Sequence, residues 1–377
     1  MAGLPRIHYC HQAATESSLQ QKWRWCDVMR DMAFDGLLQA LREGLRGGET
    51  CLWVADEQAR EAIPSVAAHP GLTVISNRYD VVQVARATGV NALFSDFDFS
   101  AIEPHSIDHF FYRVSKEKAV VQHVLDAAHR VLCPNGTCWF SGLKNEGTKT
   151  YYDKAKTAYA DSHWEKQGAA YLARCTQPQP NPVPLDNQQY TEWRQLTVGE
   201  LAVCSKPGIF GWNKIDAGSQ FLVTWLPELR ALFPVAPTSL LDMGCGYGYF
   251  IAATRDWPLQ RRAATDNNAA AVAATQATAA LLGLSVAVSA DDFGAQLKGP
   301  FDVILCTPPF HQGFHTNDRL DTRILRRLVK VNDAEHCAVI GDRHGRHIEL
   351  FYALDQLLDI GEAIEHGIFG MNVKMCE

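Results

Sequence analysis

An apolar strand running into three glycines at alternate positions constrains this chain more than any other feature. Residues 240–250 read Leu-Leu-Asp-Met-Gly-Cys-Gly-Tyr-Gly-Tyr-Phe, with Asp242 near the end of the strand and glycines at 244, 246 and 248. Glycine supplies the tight turn and the close backbone approach needed where a parallel strand hands over to a helix, at the carboxyl edge of an open sheet. A chain built around such a turn is expected to alternate strands with amphipathic helices, so that a parallel sheet is covered on both faces. Apolar runs on both sides of this segment keep to that alternation. The fold class read from them is α/β, as two tandem Rossmann-like domains.

The 377 residues are long enough for two cores of ordinary size. The segment 176–189, TQPQPNPVPLDNQQ, concentrates proline and glutamine and keeps no apolar periodicity, so it reads as an extended linker between residues 1–175 and 190–377. The two halves also share an order of elements. In the second, a strand at Ser239 is followed about sixty residues later by another at Phe301; in the first, a strand at Thr50 stands at a similar distance from one at Ile107, and a helix and the strand at Thr137 follow. Their functional residues differ. Opposite the glycine loop the first half has Ala55-Asp-Glu-Gln-Ala-Arg, and opposite Pro308-Pro-Phe it has Arg113-Val-Ser-Lys. A duplicated domain whose N-terminal copy is degenerate is the expectation; two unrelated α/β domains would produce the same order, because that architecture is common.

A dinucleotide fingerprint is spaced G-x-G-x-x-G, whereas this loop is Gly244-x-Gly246-x-Gly248 with an acid before it, the S-adenosylmethionine form with no pyrophosphate to cradle. Eighteen residues past Gly248, the next strand ends in Asp266, where such sites place a carboxylate against the ribose hydroxyls. Asp291, after the run at 285–289, is positioned for the adenine, with Asp292 as its rival. The strand at Phe301 leads into Thr307, Pro308, Pro309 and Phe310, a motif suited to methylating an exocyclic or amide nitrogen. Such a nitrogen is a poor nucleophile because its lone pair is delocalised. Hydrogen bonds from its N–H groups to the side-chain oxygen at 307 and to a nearby carbonyl would aim the lone pair at the methyl group. The prolines fix the carbonyl direction, and Phe310 offers a stacking surface to a planar base.

With these motifs the chain resembles the bacterial ribosomal RNA guanine-N2 methyltransferases, in particular the small-subunit methyltransferase C family of class I adenosylmethionine-dependent enzymes. The resemblance also rests on Pro207-Gly-Ile-Phe210, on Asp216-Ala-Gly-Ser219, and on the continuation Phe310-His311-Gln-Gly313. It implies that Phe210, Gly218 and Ser219 lie beside the methionine part of the cofactor. It further implies methylation of N2 of a guanosine in ribosomal RNA, with the small subunit as substrate and the N-terminal copy assisting recognition, in a monomer. One position departs from the family's pattern: its motif begins with asparagine, where this chain has Thr307. A threonine hydroxyl accepts one hydrogen bond from an amine but is shorter, β-branched and also a donor. Two alternatives stay open. One is another amino methyltransferase, acting on large-subunit guanosine, adenine N6 or a protein glutamine; the other is a non-catalytic cofactor-binding protein of RNA binding or assembly.

The formal charge of −7 gives no global attraction to nucleic acid, so an RNA partner requires a local patch. Arg319, Arg323, Arg326 and Lys330 would share one side of a helix, either as such a patch or as a solvated face. The N-terminus has no basic segment followed by a long apolar run, and no later stretch is long and apolar enough for a membrane span; a cytoplasmic protein is expected. Eleven cysteines without CxxC pairs fit reduced, mostly buried thiols, and no metal is expected. The pairs His344/His347 and His311/His315 lack an evident third ligand, although His311 would suit the lining of a base pocket. Trp23, Trp25, Trp53, Phe110, Phe111 and Tyr112 are read as packing residues.

Overall fold

In the computed structural model the described residues are 31–306, apart from 232, 293, 295, 298 and 299, together with the backbone of two strands, Cys337–Gly341 and Ile348–Phe351. They form two sheets of the same design. The first contains β1 (Cys51–Ala55), β2 (Leu72–Ser76), β3 (Asn91–Phe94), β4 (Ile107–Arg113), β5 (Leu132–Leu143), β6 (Tyr159–Gln167) and β7 (Ala170–Pro178), ordered β3-β2-β1-β4-β5-β7-β6. Its first five strands are parallel, while β7 is antiparallel to both β5 and β6. A two-stranded ribbon follows, β8 (Arg194–Val198) with β9 (Leu201–Ser205). The second sheet contains β10 (Ser239–Met243), β11 (Arg261–Asp266), β12 (Ala287–Ala290), β13 (Val303–Cys306), β14 (Cys337–Gly341) and β15 (Ile348–Phe351), ordered β12-β11-β10-β13-β14-β15 with β15 antiparallel. The two orders coincide strand for strand, from the outer parallel strand inward to the antiparallel partner of the fifth.

The central strands read as continuous apolar runs because both their faces are covered. Along β1, Leu52 and Val54 enter the core on one face of the sheet, and Cys51, Trp53 and Ala55 enter the core on the other. Helix α1 (Ala33–Gly47) lies on that second side, burying Phe34, Leu37, Leu38, Leu41 and Leu45, a stripe at helical spacing. It stops at Gly48, whose left-handed conformation lets its N–H reach the carbonyls of Gly44 and Leu45. Helices α2 (Tyr79–Ala87), α3 (Lys118–Val131) and α4 (Thr148–Ala155) complete the first unit. Around the second sheet lie α5 (Ala217–Thr224), α6 (Leu226–Ala231), α7 (Tyr249–Ala253) and α8 (Ala269–Leu281). Trp53, Phe110, Phe111 and Tyr112 are fully buried, as their reading as packing residues requires, while Trp23 and Trp25 lie outside the described residues.

The likeness of the halves extends to side chains. Asp108 is the second residue of β4 and its carboxylate accepts the Thr50 N–H at 2.8 Å, where β1 enters its sheet; Asp302 before β13 accepts the Thr238 N–H at 2.7 Å, where β10 enters. The proline-rich segment at 176–189 differs from a plain linker at its start. β7 extends to Pro178, because Thr176 pairs with both Thr137 and Asp161 and Pro178 pairs with Tyr159. Further along, the Leu185 N–H donates to Asp126 at 2.9 Å, and Tyr190 is buried against the first unit, so this segment is strapped down rather than loose.

Candidate functional site

The carboxyl edges of the two sheets are built differently. In the second, β10 ends at Met243, and Gly244, Gly246 and Gly248 all adopt positive φ, at 76°, 55° and 76°. The amides of Gly244 and Cys245 both donate to the Thr265 carbonyl, at 2.9 and 3.0 Å, which folds the loop back over the end of β11. A Cβ at 244 or 246 would meet no atom within 4 Å, whereas one at 248 would press on Thr275 at 3.3 Å. The first two glycines therefore border open space, and the third allows α8 to pack closely. In the first sheet the corresponding turn is a 3-10 segment, Glu57–Ala59, capped by Asp56, whose carboxylate accepts the Gln58 N–H at 3.0 Å.

Asp242 is fully buried, and neither carboxylate oxygen has a hydrogen-bond partner among the described residues. Burial, and next the charge of Asp266, hold its carboxyl well above the ordinary carboxylate range; the Ile251 amide only tempers this. A buried carboxylate without a full set of partners is costly. Asp266, at the end of β11, accepts from the Gly246 N–H at 3.0 Å with one oxygen and from the Asn268 N–H at 2.8 Å with the other. Burial raises its pKa too, against the pull of those amides and of Arg78. Each oxygen has a second lone pair, so the carboxylate keeps the capacity to receive two hydroxyls.

The remaining expected cofactor residues are gathered around this edge. Asp291 is buried; its N–H donates to the Asp266 carbonyl at 3.0 Å, and its carboxylate accepts the Gln296 N–H at 2.8 Å, so it braces the turn after β12. Asp292, the rival for the adenine, is half-buried. Asp216 caps α5, its carboxylate accepting the Ser219 N–H at 2.9 Å and the Ser219 hydroxyl at 3.2 Å. Gly218 and Ser219 are buried in the first turn of that helix. The Asp216 N–H donates to the Tyr247 hydroxyl at 3.0 Å, which ties the segment to the glycine loop. Phe210 is 54% exposed. Thr307, Pro308, Pro309 and Phe310 lie outside the described residues, as do His311, His315, the basic segment 319–330, and the loop 342–347 with His344 and His347. The chain leaves β13 at Cys306, which pairs with Met243 immediately before the glycines.

Sequence reasoning did not single out the residues that fix the loop from behind. Thr275 on α8 donates its hydroxyl to the Gly246 carbonyl at 3.1 Å. Thr278, one turn on, donates to the Tyr247 carbonyl at 2.8 Å and accepts the Cys204 N–H at 2.8 Å, joining the loop to β9. Both threonines are completely buried in a helix otherwise made largely of alanine. Two threonines at i and i+3 share one side of this alanine-rich helix, but that spacing alone gives no sign of a contact with the loop. Asn268 caps α8 through the Ala270 N–H and donates its amide to the Gly208 carbonyl at 2.9 Å, holding the segment 207–210 against the turn that carries Asp266. Among the described residues no group of three or more His, Cys, Asp and Glu side chains is arranged to hold a metal, and no helix is long and apolar enough to cross a membrane.

The family model of the methyltransferase small domain matches residues 200–334. Among curated proteins, the ribosomal RNA small subunit methyltransferase C of Marinomonas sp. (strain MWYL1) is 30% identical over 215 residues, 56% of this chain and 61% of that protein. The protein of the same name from Escherichia coli (strain K12 / DH10B) is 35% identical over 139 residues, 37% of this chain and 39% of that protein. The chain's match thus spans less than two thirds of the length of these relatives. Among solved structures, a T. thermophilus 16S rRNA N2 guanine methyltransferase in complex with AdoMet and guanosine superposes with a TM-score of 0.67 at 19% identity, covering 80% of this chain and 82% of that one. By sequence, residues 200–334 match the methyltransferase small domain, and the α/β fold of the described chain is the one seen in the T. thermophilus enzyme.

Proposed function

We propose that the chain is an S-adenosylmethionine-dependent methyltransferase acting on the exocyclic N2 of a guanosine in small-subunit ribosomal RNA, with residues 190–377 as the catalytic domain, 176–189 as the linker and 1–175 as its degenerate partner. It would work as a cytoplasmic monomer. The observation that carries the reading is the buried carboxylate of Asp242, without a hydrogen-bond partner among the described residues, beneath a glycine loop whose first two positions border open space. A cofactor with a cationic amino group and sulfonium, a ribose and an adenine suits this edge. Asp242 gives a buried acceptor on the loop side, Asp266 two acceptors for vicinal hydroxyls, and Asp291 or Asp292 a polar group one strand further out. The first sheet has Ser76 where the second has Asp266, and no glycine turn, so the fit is confined to the second. The names of the relatives supply the substrate: small-subunit ribosomal RNA for the curated proteins, N2 of guanine for the T. thermophilus enzyme.

When bound, the cofactor supplies an electrophilic methyl on sulfur. The chain's own part is positioning. The Thr307 hydroxyl would accept a hydrogen bond from one N–H of the guanine amine, a main-chain carbonyl near Pro308 would accept from the other, and the ring would rest on Phe310. The methylated amine would lose one proton to solvent after transfer, so little general-base strength is needed from the chain. A guanine in folded RNA is stacked, so it must be flipped out or met in a locally opened structure.

The test offers labelled AdoMet to the protein with unmodified small subunits, unmodified large subunits, duplex DNA and a peptide release factor in parallel. Label is expected in small-subunit RNA alone, and Thr307→Asn is expected to keep it there with an unchanged or higher turnover. Label confined to large subunits, DNA or protein would replace this substrate with that one. Cofactor binding with no transfer to any of the four, restored by Thr307→Asn, would make the wild-type chain a non-catalytic binding protein.

A further inference from the structure

The two copies meet through equivalent turns. In the first unit, β2 ends at Ser76 and α2 begins at Tyr79; in the second, β11 ends at Asp266 and α8 begins at Ala269. Ser76 accepts the Arg78 N–H at 3.1 Å just as Asp266 accepts the Asn268 N–H at 2.8 Å. These matching turns bind each other reciprocally. The Tyr79 N–H donates to the Asn267 carbonyl at 2.8 Å, the Ala269 N–H donates to the Asn77 carbonyl at 2.9 Å, and Arg78 pairs with Asn268 in an antiparallel bridge. This is the isologous contact a two-fold dimer of the copies would make, here within one chain. Asp80 and Asn267 close it: the Asp80 N–H donates to the Asn267 side-chain oxygen at 3.0 Å, and the Asn267 amide donates to the Asp80 carboxylate at 2.9 Å.

The contact falls on the backbone that carries the expected cofactor acids. Asn267 and Asn268 directly follow Asp266, and the Asn268 N–H holds one of its oxygens. The same turn of the first unit also reaches the expected adenine end, where the Gln296 side-chain amide donates to the Tyr79 hydroxyl while the Gln296 N–H holds Asp291. Tyr79 is oriented for this by an edge-on contact with Phe94, ring centroids 5.7 Å apart. Arg78 lies where its charge acts on Asp266, and Glu57 is its near ion-pair partner at 3.8 Å.

We infer that the turn 77–80 of the degenerate copy is a positioning element of the cofactor site, holding the Asp266–Asn268 backbone and the Gln296–Asp291 brace so that the ribose and adenine ends are preorganised. This rests on the methyltransferase reading of the second sheet and adds to it a specific role for the first. Asp80, Asn267, Arg78 and Tyr79 act through Asp266 and Asp291 and are positioning residues. Binding of the cofactor and docking of the two turns then stabilise one another, because a coupling free energy is reciprocal.

The experiment uses the full chain and S-adenosylhomocysteine as the probe, with dissociation constants from calorimetry at a temperature where every variant is folded by circular dichroism. Backbone amide exchange over 266–270 is read on the same samples. Asp80→Ala is expected to speed exchange at Asn268 and Ala269 and to weaken binding about tenfold, a loss of ~1.4 kcal/mol. Arg78→Ala is expected to weaken binding by a similar factor, and Arg78→Lys to recover most of it. In wild type, the probe is expected to slow exchange at Tyr79, on the far side of the seam. Faster exchange in Asp80→Ala with unchanged affinity would overturn the inference while leaving the methyltransferase reading intact. Failure of the wild type to bind the probe at all would overturn that reading first, and the inference with it.

Discussion

Gly246→Asp is expected to raise the dissociation constant for S-adenosylmethionine by at least about a hundredfold, or ~2.7 kcal/mol, while the chain stays folded. The two halves of that result have separate causes. Gly246 sits at φ 55°, a conformation costing an ordinary side chain about 1–2 kcal/mol, but one that aspartate visits more readily than most residues. A Cβ there would meet no protein atom within 4 Å, so the fold has room for the new side chain. That room is the space the account gives to the cofactor, and the new carboxylate would also stand near Asp242 and Asp266, both already disfavoured as anions by burial. Gly246→Ala separates the two causes. It carries the backbone strain with one methyl group, and an affinity between wild type and the aspartate variant is expected. Calorimetric titration with thermal melts on the same samples reads both effects. A Gly246→Asp protein that binds like wild type would remove the glycine loop from the site.

Asp242→Asn is expected to move stability and binding in opposite directions. In the free protein the Asp242 carboxylate is buried and has no hydrogen-bond partner among the described residues, and its folded-state pKa is raised well above the unfolded value of 3.8. A raised carboxyl works against the fold as pH rises. Below about pH 4 both states are protonated and the group costs nothing; above it the unfolded chain releases its proton, the folded chain holds on, and stability falls until the folded value is passed. Asparagine removes that penalty. The variant is expected to match wild type near pH 4 and to exceed it at pH 8 by about 1–3 kcal/mol in urea unfolding without cofactor. Its affinity for S-adenosylmethionine is expected to fall by about two orders of magnitude, since a charge-assisted acceptor is lost from a buried position. A purely structural Asp242 would lose stability on substitution and leave affinity nearly unchanged.

The frame of both sheets was legible because β1 and β13 are buried along their whole length and read as unbroken apolar runs, while β4 and β10 carry the shorter apolar runs Phe110–Tyr112 and Leu240–Leu241. Asp242, the glycines and Asp266 were legible because they lie within one strand-turn-helix-strand unit, where spacing in sequence fixes placement in space. The end of β7, Thr176–Pro178, was hidden at the start of a proline-rich stretch because its pairing is with strands on either side rather than with any local pattern, and Pro178 sits at its end, where a missing N–H is tolerated. Thr275 and Thr278 were not legible as loop supports, since their partners are 29 and 31 residues away and a threonine in an alanine-rich helix signals nothing by itself. The seam between the copies was out of reach for the same reason: Asp80 and Asn267 are 187 residues apart. Ser76 stands in the first sheet where Asp266 stands in the second, each accepting the N–H two residues on, so the turn is common to both and the acid belongs to one.

The central claim is that the edge around Asp242, Gly246 and Asp266 delivers a methyl group to the amino nitrogen of guanine. The most direct measurement digests small-subunit RNA to nucleosides after a single turnover with labelled AdoMet, and identifies the labelled nucleoside for wild type and for Gly246→Asp. The account predicts N2-methylguanosine with wild type and no label with the variant. Label in any other nucleoside, or equal label from the variant, would contradict it.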